Sequence, residues 1–173
     1  YYEGYTAQQV VFPVRVMKMI GIKTLFVSNA AGGMNSSFRV GDVMVITDHI
    51  NLIPNVLIGK NYNELGARFP DMSEPYSKAL GALATEVAAE RGIKLQYGCY
   101  VGTTGPTFET PKEYGYFKVI GGDAAGMSTT PEVIAARHMG LPVFGISIIT
   151  NAAFSGQKST HEEVQQEGAK AEK

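Results

Sequence analysis

The sequence predicts an α/β fold, with a strongly curved central β-sheet flanked by helices. Three observations carry that prediction. Short apolar runs rich in β-formers alternate with helical patterns along the chain. Several of these runs are apolar almost throughout, as expected of strands covered on both faces. Glycines interrupt two of them, in "YGCYVG" and "VFGISIIT", and mark bends or bulges that curve a sheet. No internal repeat, low-complexity block or Pro/Ser-rich linker divides the chain, so residues 1–173 read as a single domain.

Taken in order, a first helix covers residues 7–20, and Pro13 inside "VVFPVRVMKMIG" means that it starts there or kinks. Strand 24–29 (TLFVSN) runs into Ala30, Ala31, Gly32 and Gly33, read as a small-residue turn. Strand 42–47 (DVMVIT) leads to an irregular Asn, Gly and Pro-rich loop over 51–76, long enough to be functional or interfacial. A helix over 74–91 and a strand over 95–102 follow. Helix 111–120 has Thr110 as N-cap, Pro111 at its first position and Glu113 as capping-box partner. Strand 124–127 precedes helix 131–139, with Thr130 as N-cap and Pro131 at the first helical position. Strand 143–150 is followed by a last helix from 161, opened by a capping box of Thr160 and Glu163.

Composition narrows the function. Hydrophobic residues make up 45% and charged ones 18%, with a net charge of -1 and both signs interspersed. That argues against nucleic acid or an acidic membrane surface as the partner. No apolar run approaches the roughly 20 residues of a membrane span. Cys99, the single cysteine, cannot form an internal disulfide, which points to a reducing cytoplasm. It sits in mid-strand, where a buried inert thiol is expected. His49, His138 and His161 lack ligand spacing, so no metal site is expected. No G-x-S-x-G elbow, Walker loop or G-x-G-x-x-G run is present. The chain opens on "YYEGYTAQQ" and closes on "EEVQQEGAKAEK", and both ends read as cuts through something longer.

Three stretches share one design: a strand end, a polar or glycine-rich turn, then a helix start. "FVSNAAGGMN" puts small residues where a ligand can approach backbone N–H groups. "GMSTTPEV" places Met127 and Ser128 before a helix N-terminus that attracts anions. "ITNAAFSGQKSTHEEV" puts Asn151 at a strand end and His161 in the first turn of a helix, where a charged imidazole is disfavoured. Each has a plainer reading: a turn for Ala-Ala-Gly-Gly, a capping hydroxyl for Ser128, a turn residue for Asn151 and a surface residue for His161. A fourth stretch, "TGPTFETP", holds Phe108, by default core, and Glu109, by default a solvated loop acid. Glu109 is spare, because Glu113 already supplies the capping carboxylate.

In order along the chain, "YYEGY", "VVFPVRV", "SNAAGGMN", "GDVMVITDHIN", "RFPDMS", "TGPTFETP", "GGDAAGMSTTPEVIAARHMG" and "GISIITNAA" resemble the purine nucleoside phosphorylases of the trimeric, 6-oxopurine-specific type. The resemblance implies a mixed central sheet of the phosphorylase/hydrolase-like fold. It also implies cleavage of a purine (deoxy)ribonucleoside by inorganic phosphate, giving free base and (deoxy)ribose 1-phosphate. The expected partners are purine nucleoside, phosphate as co-substrate and two further copies in a homotrimer, with no cofactor and no metal. By the same resemblance Glu109 accepts from the base N1–H, Asn151 serves the O6/N7 edge and Phe108 packs against base or sugar. Met127 lines the ribose, Tyr2 and His161 bond its hydroxyls, and Ala30 N–H and Ser128 hold phosphate. Glu109, Asn151 and His161 are the catalytic candidates, and Phe69 of a neighbouring subunit closes the pocket. Relatives carry a Gly-Ser phosphate loop and an Arg-x-His pair upstream of "YYEGY", and the family's last helix runs on. The 173-residue domain is therefore expected to be incomplete at both ends, and poorly folded or inactive alone. Two rivals stand beside this reading: a methylthioadenosine phosphorylase, which tends to carry Asp where Asn151 stands, and a non-catalytic nucleoside-binding protein.

Overall fold

The computed structural model describes residues 1–152 and 161–171, without the side chains of residues 161, 163, 170 and 171. In chain order the elements are α1 (Ala7–Met19), β1 (Leu25–Gly33), β2 (Val43–Asn51), α2 (Lys78–Arg91), β3 (Leu95–Gly102), α3 (Pro111–Val119), β4 (Ala124–Gly126), α4 (Thr130–His138), β5 (Val143–Ala152) and α5 (His161–Ala171). The five strands close into a barrel in the order β1-β4-β3-β2-β5. The sheet is mixed. Pairs β1–β5, β2–β3 and β3–β4 are parallel, whereas β1–β4 and β2–β5 are antiparallel. Register shifts at Ala31/Gly32 and at Ile46/Asp48 supply the curvature that closure needs.

One apolar cluster fills the barrel and the space under α1 and α4, with Met44, Ile46, Tyr100, Val133, Leu141, Val143 and Ile149 nearly or fully buried. A second cluster of Met34, Val101, Tyr114, Phe117 and Ala125 seats α3 against the barrel. Helix α1 is capped at Thr6 by a full capping box with Gln9 and continues through Pro13, so it neither starts at the proline nor stops there. The missing proline N–H leaves the Gln9 carbonyl without its helical donor, which an exposed helix face tolerates. Helix α2 begins at Lys78 rather than residue 74, because the Ser77 side chain accepts from Leu80 N and caps it there.

Two local expectations change. The stretch Ala30 to Gly33 is strand, not turn: β5 pairs with it in parallel through Gly33↔Ala152, and β4 pairs antiparallel at Gly32↔Ala125. Neighbours on both sides override weak β-propensity. Helix α4 is preceded by Thr129 as N-cap, not Thr130. The Thr130 hydroxyl is engaged elsewhere, donating to Asn51 Oδ1 at 2.7 Å. The final capping box of Thr160 and Glu163 lies outside the described residues.

Candidate active site

The carboxyl ends of the parallel strands β1 and β5 meet at one rim of the barrel, beside the short antiparallel strand β4, and strand carboxyl ends are the usual place for a ligand crevice in an α/β fold. A cavity of about 200 Å³ opens there. Its walls include seven of the nine sequence candidates: Tyr2, Ala30, Phe108, Glu109, Met127, Ser128 and Asn151. Strand β1 brings Ala30, β5 brings Asn151, and the segment between β4 and α4 brings Met127 and Ser128. Phe108 and Glu109 come from the lead-in to α3, and α5 contributes Val164. The volume is below the roughly 300 Å³ at the lower end of small-molecule sites. A larger hollow of about 360 Å³, beside Tyr76, Tyr97 and Phe144, collects none of the candidates.

Glu109 is not a solvated loop acid. Thr103 Oγ1 donates to its Oε1 at 3.1 Å, and Thr103 N in turn donates to Gly126 O at 2.8 Å. The α3 cap is complete without it: Glu113 N donates to Thr110 Oγ1, and Thr110 N donates to Glu113 Oε2 at 2.7 Å. That bonding holds the Glu113 carboxyl below the usual range, through the Thr110 backbone N–H first. Phe108 is not core, being 42% exposed at the mouth of the cavity.

Asn151 belongs to β5 rather than to a turn, and it pairs with Gly32 across the parallel β1–β5 seam. Its Oδ1 accepts from Thr150 Oγ1 at 3.3 Å. A Cβ built on Gly32 would lie 3.1 Å from Asn151 Nδ2, so the amide occupies the space that a side chain would take. The Tyr114 hydroxyl also faces this point, 3.4 Å from the same Cβ position. Burial first, then the Glu109 charge, pushes the phenol pKa well above its ordinary value, so it stays protonated.

At the α4 end, Asn29 Nδ2 donates to Thr129 Oγ1 at 2.8 Å, and the Ser128 and Thr129 hydroxyls lie 3.1 Å apart. Thr129 has φ 73 and ψ -53, a strained conformation for a β-branched residue costing about 1–3 kcal/mol. Its hydroxyl does not cap the helix, and neither does that of Ser128, which is exposed to the cavity. The Ser128 N–H donates to Tyr100 Oη at 3.3 Å, and its hydroxyl can accept from Thr129 while turning its own proton to the cavity. Burial raises the pKa of Glu132 in the first turn of α4.

Two candidates fall outside this constellation. Phe69 is 87% exposed beside Arg68, on a different face, where it lines another surface hollow. The side chain of His161 lies outside the described residues, although α5 reaches the cavity through Val164. Sequence reasoning missed Thr103, Thr150 and Tyr114. For Tyr114 a signal existed: Glu109 and Tyr114 are the N′ and N4 positions of α3, the pair that meets in a hydrophobic staple. Among the described residues no cluster of His, Cys, Asp and Glu could hold a metal ion. Nor is any described helix long and apolar enough to cross a membrane. Cys99 is free, and burial, followed by the charges of Asp48 and Asp123, pushes its thiol up to about 11.

Residues 3–173 match the profile of the Phosphorylase superfamily. Purine nucleoside phosphorylase 1 of Geobacillus stearothermophilus is 56% identical over 167 residues, covering 95% of this chain and 61% of that protein. A schistosoma purine nucleoside phosphorylase solved with hypoxanthine superposes with a TM-score of 0.95 at 44% identity, covering 98% of this chain and 64% of that one. The Schistosoma mansoni enzyme solved with adenosine gives a TM-score of 0.95 at 45% identity, covering 99% and 65%. The chain thus spans a little over three fifths of the length of the relatives it matches.

Proposed function

Because this chain belongs to the phosphorylase superfamily, we propose that its cavity performs purine nucleoside phosphorolysis. Inorganic phosphate displaces the base of an inosine- or guanosine-type (deoxy)ribonucleoside, giving free purine and (deoxy)ribose 1-phosphate for purine salvage. One observation carries the reading. Glu109, an acceptor, and Asn151, a donor and acceptor in one amide, arrive from different elements at the same wall. A 6-oxopurine presents the complement: a donor at N1–H and acceptors at O6 and N7.

The chemistry follows from where charge develops. As the glycosidic bond breaks, the sugar becomes oxocarbenium-like and negative charge moves onto the departing purine. Asn151 stabilises that charge at the O6/N7 edge, and Glu109 fixes the base by accepting from N1–H. Ser128 Oγ and the Ala30 N–H hold phosphate for attack at C1′. Met127 lines the ribose, Tyr2 and His161 bond its hydroxyls, and Phe108 packs against base or sugar. No covalent nucleophile, cofactor or metal is required. In the full assembly, a homotrimer, Phe69 of a neighbouring subunit covers the open side. Its high exposure suits such a docking role. Residues 1–173 form most of a single phosphorylase domain working in the cytoplasm.

The test is phosphate-dependent release of base by the full-length protein, comparing inosine and guanosine with adenosine and methylthioadenosine. Preference for the first pair is expected. Adenosine bound to the S. mansoni relative keeps the 6-aminopurine reading as the rival, and preference for the second pair would overturn our assignment. Nucleoside binding without base release would favour a non-catalytic role.

A further inference from the structure

We infer that Thr103 is a positioning residue for base recognition: its hydroxyl clasps Glu109 from behind the cavity wall and fixes which carboxyl oxygen meets the base. The inference rests on the base-recognition role given to Glu109 above. Thr103 directly follows β3 and stands behind the wall, whereas Glu109 and Gly126, the two residues it bonds, both line the cavity. Its backbone is anchored on the sheet. Thr103 N donates to Gly126 O at 2.8 Å, one step past the β3–β4 pair Gly102↔Gly126, and Gly102 O accepts from Leu52 N at 2.9 Å. Between Thr103 and Glu109 the chain bends through Gly105, at φ 57, and residues 104 and 106–108 are exposed. A Cβ built on Gly105 would meet the Met127 sulfur, so this segment already lies against Met127 and has no room to slide inward. The Thr103–Glu109 bond ties its far end back to the strand it left.

Counting protons shows which partner the hydroxyl serves. Thr103 Oγ1 lies 3.1 Å from Glu109 Oε1 and 3.4 Å from Gly126 O. It carries one proton, and Gly126 O already accepts from Thr103 N, so the nearer oxygen, Glu109 Oε1, receives it. Oε1 is thereby committed to the protein, and Oε2 is the oxygen left to accept from the N1–H of a 6-oxopurine. A glutamate free to rotate loses rotamer freedom when it meets the base. One clasped beforehand has already lost it, so the clasp favours binding without touching the ligand.

The experiment is equilibrium titration of hypoxanthine into the full-length protein and its Thr103→Val and Thr103→Ser variants. The first substitution keeps the branched shape without the hydroxyl, and the second keeps the hydroxyl. Hypoxanthine affinity should fall about three- to tenfold in Thr103→Val, the range of one ordinary hydrogen bond, and stay within about twofold of wild type in Thr103→Ser. In a Glu109→Ala background, Thr103→Val should change the affinity by less than about twofold, because no carboxyl group remains to be positioned. A role confined to packing would give the same loss with and without Glu109. Equal losses in the two backgrounds, no loss in Thr103→Val, or Thr103→Ser as weak as Thr103→Val would each overturn the inference, even if inosine phosphorolysis is normal. Absence of phosphorolysis by the wild type with the expected pattern intact would overturn the proposed reaction and leave the role of Thr103 standing. A wild-type protein that binds no hypoxanthine would overturn both.

Discussion

Replacing Gly32 with alanine sets fold and chemistry against each other. Gly32 lies in β1 just past a register shift and is not among the positive-φ residues, so its backbone accepts alanine. By restricting the unfolded chain alone, Gly→Ala should stabilise by about 0.4–1 kcal/mol. The added Cβ, however, lands 3.1 Å from Asn151 Nδ2, 3.4 Å from Oδ1 and 3.4 Å from Tyr114 Oη. Normal contact near 3.5 Å requires the amide to move by about 0.3 Å. Thr150 holds one end of that amide and Tyr114 faces the other, so the retreat displaces the group that meets the base. If a 1 Å misplacement costs about 10²-fold, a shift of about 0.3 Å costs roughly three- to tenfold in kcat/KM. Phosphate-dependent hypoxanthine release and thermal melting read the two effects separately. Activity should fall while Tm holds or rises. Undiminished kcat/KM would show that Asn151 has slack and would refute the reasoning, as would a loss of activity matched by a loss of stability.

Other outcomes follow from the same geometry. Glu109→Ala should lower inosine turnover by about 10²-fold, the scale of one lost site contact, with little change in Tm because Glu113 caps α3. A variant with normal turnover would remove Glu109 from the site. Asn151→Asp should shift the inosine-to-adenosine ratio of kcat/KM toward adenosine, and an unchanged ratio would count against the role of the amide. Gly102→Ala tests the barrel: its Cβ would lie 2.5 Å from Thr130 Oγ1, which is fully buried and bonded to Asn51. Overpacking plus a disturbed buried hydrogen bond should cost about 2–4 kcal/mol in urea unfolding. Burial lowers the His49 pKa, partly offset by the Asp48 charge, so the fold keeps the ring neutral while the unfolded chain protonates it near 6.5. The stability contributed by His49 should therefore fall as pH drops through 6.5 and level off below the lowered pKa. Its slope is at most about 1.4 kcal/mol per pH unit. Parallel profiles for wild type and His49→Gln between pH 7 and 5 would contradict this.

The elements were legible where local chemistry and packing agree. Thr110, Pro111 and Glu113 announced α3, and the cap formed as the sequence indicates. Apolar runs such as "VFGISIIT" announced β5. What stayed hidden depends on partners distant in sequence. Ala30 to Gly33 look like a turn until β4 and β5 pair with them, and Thr130 looks like a cap until Asn51 takes its hydroxyl. At the site, chemistry-bearing side chains at strand ends were visible, whereas their supports were not. Thr103 and Thr150 are ordinary strand-end residues by composition. Tyr114 reads as core, which its ring is; only the spacing from N′ to N4 hints that it lines the cavity with Glu109.

The seam between β1 and β5 joins the second element of the chain to the ninth, and Gly32 meets Asn151 along it. Loop-closure entropy makes such a distant pairing slow to form. A nascent chain emerging at about 5–20 residues per second can fold α1 and pair β2 with β3 before β5 exists. It cannot yet bring Asn151 opposite Glu109. A purine seated across the seam would therefore clamp the step that completes the barrel. Base analogues should slow unfolding by holding β5 in place, making the substrate a latch on the fold that recognises it.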